Sequence, residues 1–262
     1  MIKLIVTDVD GTLLDNKSQV TELNKKALLE CKSKNIGVVL ATGKSISAVL
    51  PIIKMLDLDL PQITLNGTVT LDKNQEVISS TKIGEQYFYE VLSAIKQKGQ
   101  KPLIALTDGR ILYDIYDNIF AVFEKINEPI YKVDSLEKEA YAHDCVSLSV
   151  AIKEDDPLDA YLRERFSEKL QLVRSGEYFF DVLSLNASKG NALEFIADML
   201  KISKDEIAVF GDSPNDLSMF GIAGLKIAVK NSYPEVLKRA DYITDENYNS
   251  GLGKAIYKYI LN

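Results

Sequence analysis

The run Leu4-Ile5-Val6-Thr7-Asp8-Val9-Asp10-Gly11-Thr12 decides how the rest of the chain is read. Residues 2–7 are mostly apolar and β-branched, the pattern of a buried strand. Asp8 and Asp10 would both leave its carboxyl end, and Gly11 would let the chain turn sharply away. Two carboxylates this close are costly unless a cation or a shared proton relieves their repulsion. Alone, the stretch reads equally as a metal site holding a nucleophile or as an Asp-rich turn with ordinary Asp-Gly chemistry. Its surroundings have to separate the two.

With 262 residues, the chain can hold one large or two modest domains, each with a sizeable core. Hydrophobic residues at 46% and charged residues at 26% fit a globular protein. A formal charge of −7 argues against nucleic acid as a partner, because such a surface needs a basic field. No apolar run approaches the length of a membrane span, and Met1-Ile2-Lys3 leads straight into the strand pattern, so a cytoplasmic setting is expected. Cys31 and Cys145 cannot make a disulfide framework and read as core thiols. His143, beside Asp144, is the single histidine and reads as a loop or strand-edge residue. Zinc chemistry and histidine triads are thereby nearly excluded. Chemistry falls to carboxylates, lysines and a hard metal.

Downstream, Leu23, Ala27 and Cys31 lie four apart with Leu28 alongside, one face of a helix capped by Thr21. Residues 36–40 repeat the strand pattern and end in Ala41-Thr42-Gly43-Lys44. Ser45 then caps a helix carrying Ile46, Leu50, Ile53 and Leu56, bent early by Pro51. Residues 62–65 form a third strand, halted at Asn66-Gly67. Strands and helices alternating in this way begin a doubly wound parallel sheet. A hairpin follows, residues 68–71 against 77–81.

From about residue 83 the pattern changes to hairpins mixed with helices, including the turn Thr107-Asp108-Gly109-Arg110, which predicts an α+β unit with an antiparallel sheet. The alternating pattern resumes at Ser188 with a helix over 189–200 and a buried strand over 207–210. A strand over 226–229, a helix capped by Ser232, a strand over 241–244 and a helix over 252–261 follow. The middle therefore reads as an insertion, with the two chain ends sharing one parallel sheet.

Open α/β sheets bind ligands beyond the carboxyl ends of their strands, at the switch in strand order. Asp8, Asp10, Thr42-Gly43 and Gly211-Asp212-Ser213-Pro214-Asn215-Asp216 all fall at such ends, and Lys189 opens the helix after the insertion. Converging acidic groups with all-oxygen ligands favour magnesium. A Thr42 hydroxyl, backbone N–H groups and the Lys189 ammonium make an anion cradle. Singly these parts have bland readings: Thr42 can bond the local backbone, Lys189 can be solvated, and Asp216 can cap a helix. Their conjunction, in this order, points to phosphoryl transfer.

Asp8-Val9-Asp10-Gly11-Thr12, Ala41-Thr42-Gly43, Ser188-Lys189-Gly190 and Gly211–Asp216 together make the chain resemble the haloacid dehalogenase-like hydrolases. More narrowly, it is similar to the Cof-like phosphatases, which carry a large α/β cap between their second and third motifs. The resemblance implies a Rossmann-like core from residues 1–82 and 186–262 and an inserted cap over 83–185. It implies Asp8 as a nucleophile forming an aspartyl-phosphate, and Asp10 as general acid and then general base. Magnesium would be held by Asp8, the Asp10 main-chain carbonyl and Asp212, and the phosphate by Thr42, Gly43, Lys189 and Asn215, with Asp216 orienting Lys189. Asp8 is expected to be ionised at neutral pH without a base. Asp10 must carry a proton when the leaving alkoxide departs, so a neighbouring negative charge should help by raising its pKa. Many relatives have arginine where this chain has Lys44, which keeps the charge and loses the planar fork.

The implied function is a magnesium-dependent phosphatase of small phosphorylated metabolites, sugar phosphates foremost. Cofactor phosphates (pyridoxal phosphate or a flavin precursor), a phosphosugar mutase and a phospho-accepting signalling module are the alternatives. Specificity should lie in the cap; Arg110 and Tyr113, after the hairpin turn, and Asp181 and Asn186, near the return to the core, are the candidates.

Overall fold

All four residues of the opening strand are buried, because it runs through the middle of a sheet covered on both sides. The computed structural model describes residues 1–153, 155–175 and 179–262, Ser175 for its backbone alone. The chain begins with β1 (Leu4–Thr7), a wide turn over Val9–Leu13, α1 (Glu22–Ser33), β2 (Gly37–Leu40) and α2 (Ile46–Met55). β3 (Gln62–Thr64), β4 (Val69–Leu71) and β5 (Val77–Ser80) come next. The middle of the chain supplies α3 (Glu85–Gln97), β6 (Pro102–Leu106), β7 (Ile111–Tyr113), α4 (Ala121–Lys125) and β8 (Ile130–Lys132). It continues with α5 (Leu136–Ala142), β9 (Cys145–Ala151), α6 (Pro157–Phe166), β10 (Leu170–Ser175) and β11 (Phe179–Ser184). The return comprises α7 (Lys189–Leu200), β12 (Ile207–Gly211), α8 (Leu217–Ile222), β13 (Leu225–Ala228), α9 (Pro234–Leu237), β14 (Tyr242–Ile243) and α10 (Gly251–Tyr259).

Five strands form a wholly parallel sheet in the order β14-β13-β12-β1-β2. Alternation along β1 sends Ile5 to one face, with α1 and α10, and Leu4 and Val6 to the other, with α7 and α8. Burial of both faces is why these strands read as continuous apolar runs. The fold is a Rossmann-like α/β core carrying an inserted α+β unit. That unit holds a six-stranded sheet, β10-β11-β9-β6-β7-β8, antiparallel except for the parallel pair β7–β8. Ile104, Leu148, Val150, Phe180 and Val182 on one of its faces pack against residues of α3 and α6. The opposite face, bearing Leu103, Ala105, Ser147, Ser149, Asp181 and Leu183, looks toward the parallel sheet across a cavity.

Several expectations need correction. The third strand is not a full member of the parallel sheet: β3 pairs antiparallel with β4, and only an isolated Ala41–Ile63 bridge joins it to the strand-end of β2. In α2 the buried residues are Ala48, Val49 and Ile52, a face rotated from the expected one, so Leu50 and Ile53 are half-buried. Ser45 stands at the start of α2 but makes no side-chain cap, since its hydroxyl is taken by Glu128. Ser232 likewise bonds the carbonyls of Val229 and Gly211, and Tyr233 is the residue that precedes α9. β8 and α5 are short and carry little periodic signal, so neither was anticipated. No described helix is long and apolar enough to cross a membrane.

Candidate active site

The switch in strand order lies between β1 and its neighbours: β2 comes from the first part of the chain and β12 from the last. Thr7 pairs with Phe210, so Asp8 and Asp212 leave adjacent strand ends side by side. Gly11 makes the approach possible. Its φ is +80°, and a Cβ there would meet Asp212 Oδ2 at 2.7 Å. The Thr12 hydroxyl donates to Asp212 Oδ1 at 2.7 Å, and Ser213 Oγ donates to Oδ2 at 3.0 Å.

Lys189 enters from the first turn of α7 and is almost completely buried. A cation near a helix N-terminus opposes the dipole, so carboxylates must hold it. Its Nζ donates to Asp8 Oδ1 and to Asp216 Oδ1, both at 2.7 Å. Asp216 Oδ2 accepts from the backbone N–H groups of Asp212 and Ser213 at 2.9 and 3.0 Å. Asp216 thus clamps Lys189 to the loop that carries Asp212.

Asp8, Asp212 and Asp216 offer oxygens within 4.8 Å of one another, all buried. Burial pushes the Asp8 carboxyl well above the usual range; the Lys189 ammonium pulls it back, and Asp216 and Asp212 push it up again. Burial, then Asp216, raises Asp212 to about 6, against hydrogen bonds from Thr12 and Ser213 that lower it. For Lys189 burial acts downward, but Asp216 and Asp8 outweigh it and hold the ammonium above its ordinary value. Three carboxylates facing one ammonium leave a buried excess of negative charge, and oxygen-only donors are those of a hard divalent cation. Asp216 is committed to the Lys189 ammonium and to two backbone N–H groups. Asp8 and Asp212 stand at the ends of adjacent strands and fit such an ion, Asp212 with oxygens that each already accept a neutral hydroxyl. Asp10 lies outside this buried group.

Its side chain is half-exposed and pairs with Lys44 Nζ at 3.3 Å, with the Glu128 carboxylate close enough for the two acids to act on each other. Lys44 is itself buried and donates to the Ile126 carbonyl of the inserted unit at 2.9 Å. Beside it the Glu128 carboxylate, also from the inserted unit, accepts from Ser45 N at 3.0 Å and from the Ser45 hydroxyl. Burial raises Glu128, while the two Ser45 hydrogen bonds act the other way.

Thr42 Oγ1 accepts from Lys44 N at 3.1 Å, the local backbone bond that its bland reading anticipated, and the side chain also lines the cavity. Gly43 lines it too, and a Cβ there would crowd the Asn66 amide at 3.3 Å. Asn215 Nδ2 donates to Asn66 Oδ1 at 3.0 Å, while Asn215 Oδ1 is buried without a partner among the described residues. Such an atom is an acceptor waiting for water or a ligand donor. Asn66 Nδ2 in turn donates to Asp181 Oδ2 at 2.9 Å, and Ser149 Oγ donates to Asp181 Oδ1 at 2.6 Å.

The cavity above these groups measures about 400 Å³. Asp8, Asp10, Thr42, Gly43 and Asn215 lie on its floor, with Asp212, Asp216 and Lys189 packed around Asp8. The roof is the sheet face described above, closed at one side by Phe123, Ile126 and Phe179. Of the four candidates for specificity, Asp181 reaches the cavity. Arg110 turns to Asp108 at 2.7 Å, Tyr113 packs on Tyr116 and Phe120, and Asn186 is exposed; none of these three lines it. Sequence reasoning gave no place in the site to Asn66, Ser45, Glu128, Ser147 or Ser149. The signal available for the serines was alternation, since Val146-Ser147-Leu148-Ser149-Val150 places both hydroxyls on one face of a strand.

A family model of the haloacid dehalogenase-like hydrolases matches residues 5–256. The chain belongs to that family. It is 29% identical to the phosphatase YwpJ of Bacillus subtilis (strain 168), over 96% of this chain and 97% of that protein. It is 27% identical to the 5-amino-6-(5-phospho-D-ribitylamino)uracil phosphatase YcsE of the same organism, over 99% of this chain and 96% of that protein. Among solved structures, a haloacid dehalogenase-like hydrolase from B. subtilis superposes with a TM-score of 0.88 at 26% identity, covering 99% of this chain and 100% of the other. The protein is therefore a hydrolase, as its four motifs implied.

Proposed function

We propose that this hydrolase is a magnesium-dependent phosphatase of small phosphorylated metabolites that works through an aspartyl-phosphate on Asp8. The observation that carries the reading is the buried Asp8 carboxylate on the cavity floor, bonded to Lys189 at 2.7 Å and grouped with Asp212. Magnesium held by Asp8, Asp212 and the Asp10 main-chain carbonyl would draw charge from the phosphoryl oxygens and keep both carboxylates ionised. Thr42, Gly43 and Asn215 bind the phosphate. An ammonium has three N–H donors, and Lys189 spends two on carboxylates, so the third serves the phosphoryl group. Asp216 positions Lys189.

In the first step an Asp8 oxygen bonds to phosphorus, the ester P–O bond breaks and Asp10 gives its proton to the leaving oxygen. In the second, water attacks phosphorus, Asp10 takes the water's proton, the Asp8–phosphorus bond breaks and phosphate leaves. Residues 83–185 act as the cap that excludes water from the first step, over a core of residues 1–82 and 186–262. The setting in this reading is cytoplasmic, in keeping with two free, buried thiols.

Sugar phosphates are the first substrate class of this proposal. The apolar roof favours a second, a ring-bearing cofactor or flavin-precursor phosphate, and YcsE is named for a phosphate ester that carries a uracil ring. The test is phosphate release from a panel of sugar, nucleotide and cofactor phosphates with and without magnesium, the Asp8→Asn protein serving as control. Magnesium-dependent release by the native protein is expected, with at least about a 10⁴-fold loss in the variant. Comparable release from Asp8→Asn would remove Asp8 as the nucleophile.

A further inference from the structure

Three asparagine side chains close on the wide turn that follows β1, and each donates its Nδ2 to a main-chain carbonyl. Asn24 of α1 reaches the Leu13 carbonyl at 2.9 Å, Asn247 the Leu14 carbonyl at 2.8 Å, and Asn231 the Gly11 carbonyl at 2.8 Å. Their partners settle the direction of the amides, since a carbonyl can only accept and a backbone N–H only donate. Asn24 Oδ1 accepts from Gly253 N at 2.8 Å, and Asn231 Oδ1 accepts from Asn247 N at 2.9 Å. The three differ in burial. Asn24 and Asn247 are buried, where a carbonyl left alone is costly, so their bonds help to fold the turn. Asn231 is exposed, and water can replace its bond to Gly11 at little cost in stability.

What sets Asn231 apart is the place of its segment. Residues 229–233, between β13 and α9, bond to both loops that carry acidic groups of the site. Asn231 holds the Gly11 carbonyl, and Tyr233 N donates to the Asp212 carbonyl at 2.9 Å. The Gly11–Thr12 peptide that Asn231 holds stands between two parts of that site. Before it comes Asp10; after it comes Thr12, whose hydroxyl donates to Asp212 Oδ1 at 2.7 Å. Gly11, at φ +80°, has no side chain with which to hold the peptide itself. We infer that Asn231 is a positioning residue for the metal ion, fixing the distance between the Asp10 main-chain carbonyl and the Asp212 carboxylate. This rests on the magnesium reading of the same site. Magnesium demands short bonds in near-ideal octahedral geometry and is sensitive to that distance, whereas calcium takes longer bonds in flexible geometry and tolerates error. Partners one bond removed from the ligands act on metal affinity without touching the ion.

The test titrates the metal-free protein calorimetrically with magnesium chloride and with calcium chloride, no substrate being present, and follows thermal melting without metal. Asn231→Ala should weaken magnesium binding by at least about tenfold, the low end for such a partner, and calcium binding much less. Its metal-free melting temperature should stay close to that of the native protein. Asn247→Ala is the contrast: it keeps the backbone N–H that bonds Asn231 and strands the Leu14 carbonyl. It should lower the melting temperature clearly and leave the ratio of magnesium to calcium affinity as in the native protein. Native magnesium affinity in Asn231→Ala overturns the inference alone. Equal losses for the two ions, or failure of Asn231→Ala to fold without metal, also overturn it, because either result gives Asn231 a purely structural role. No magnesium binding by the native protein discards the magnesium reading and this inference with it.

Discussion

The floor and the roof of the cavity are both made by strands, and they handle polar groups in opposite ways. On the floor, buried charges are bonded to one another: Lys189 to Asp8 and Asp216, Asp216 to the Asp212 loop, and Asp212 to Thr12. On the roof, polar groups are few and lie along a stripe within apolar surface. A network of buried charges fails as a unit when one member is removed, because the rest lose compensation. A stripe on an apolar face can change one residue at a time. The difference teaches where catalysis and selectivity can vary independently.

Lys189→Met should break the floor most severely. It leaves three buried carboxylates without their cation, and the loss of unfolding free energy in denaturant should be about 3–5 kcal/mol. Adding Asp216→Asn removes one stranded charge and should restore part of that stability, with turnover still absent. On the roof, Asp181→Asn gives up charge but keeps an acceptor, and should cost about 1 kcal/mol. Equal losses from Lys189→Met and Asp181→Asn would erase the distinction between floor and roof.

The second test uses pH and metal. Asp212, held at about 6 in the folded protein against an ordinary 3.8, keeps its proton over a range where the unfolded chain has lost it. The native state then binds more protons than the unfolded state, so stability falls as pH rises from about 4 to about 6, with the full deficit above. Asp8, raised by burial, acts in the same direction. Without metal, the native protein should therefore lose melting temperature relative to Asp212→Asn across that window. Magnesium should recover the loss at pH 7–8, by about 2.7 kcal/mol at a hundred times its dissociation constant, and do little for the variant. A magnesium effect of the same size in Asp212→Asn would take Asp212 out of the ion's site.

The floor was legible in the sequence because each part announces itself locally. An apolar run stops at Asp8, another at Asp212, and Gly11 marks the turn that lets them approach. Parallel strands bring such ends together by topology, so no long-range contact had to be guessed. The roof was not legible in this way. Which face of β9 and β11 looks at the cavity depends on how the inserted sheet docks, and one residue of register exchanges the faces. Asp181 was singled out from its place near the return to the core, while Arg110 and Tyr113, beside a clear hairpin turn, point elsewhere. Glu128 carries no signal at all: it precedes a three-residue strand, and its partner Ser45 reads as an ordinary helix cap.

The seam between floor and roof gives the smallest effect and the finest discrimination. Glu128 is a buried carboxylate like those below it, yet it comes from the inserted unit and its partners are the backbone and hydroxyl of Ser45. Burial raises it, Lys44 lowers it and Asp10 raises it again. Glutamine in its place keeps an acceptor for Ser45 N and brings an N–H₂ that can donate to the hydroxyl, while removing the buried charge. Because the folded-state carboxyl titrates above its unfolded value, the charge costs stability only once pH has risen past that value. Glu128→Gln should match the native melting temperature at pH 4 and exceed it at pH 8, by about 1 kcal/mol. A lower melting temperature at pH 8 would mean that Glu128 and Lys44 act as a bound pair, and the seam would then belong with the floor. A gain there would place it with the roof, as a contact whose charge the fold does not need.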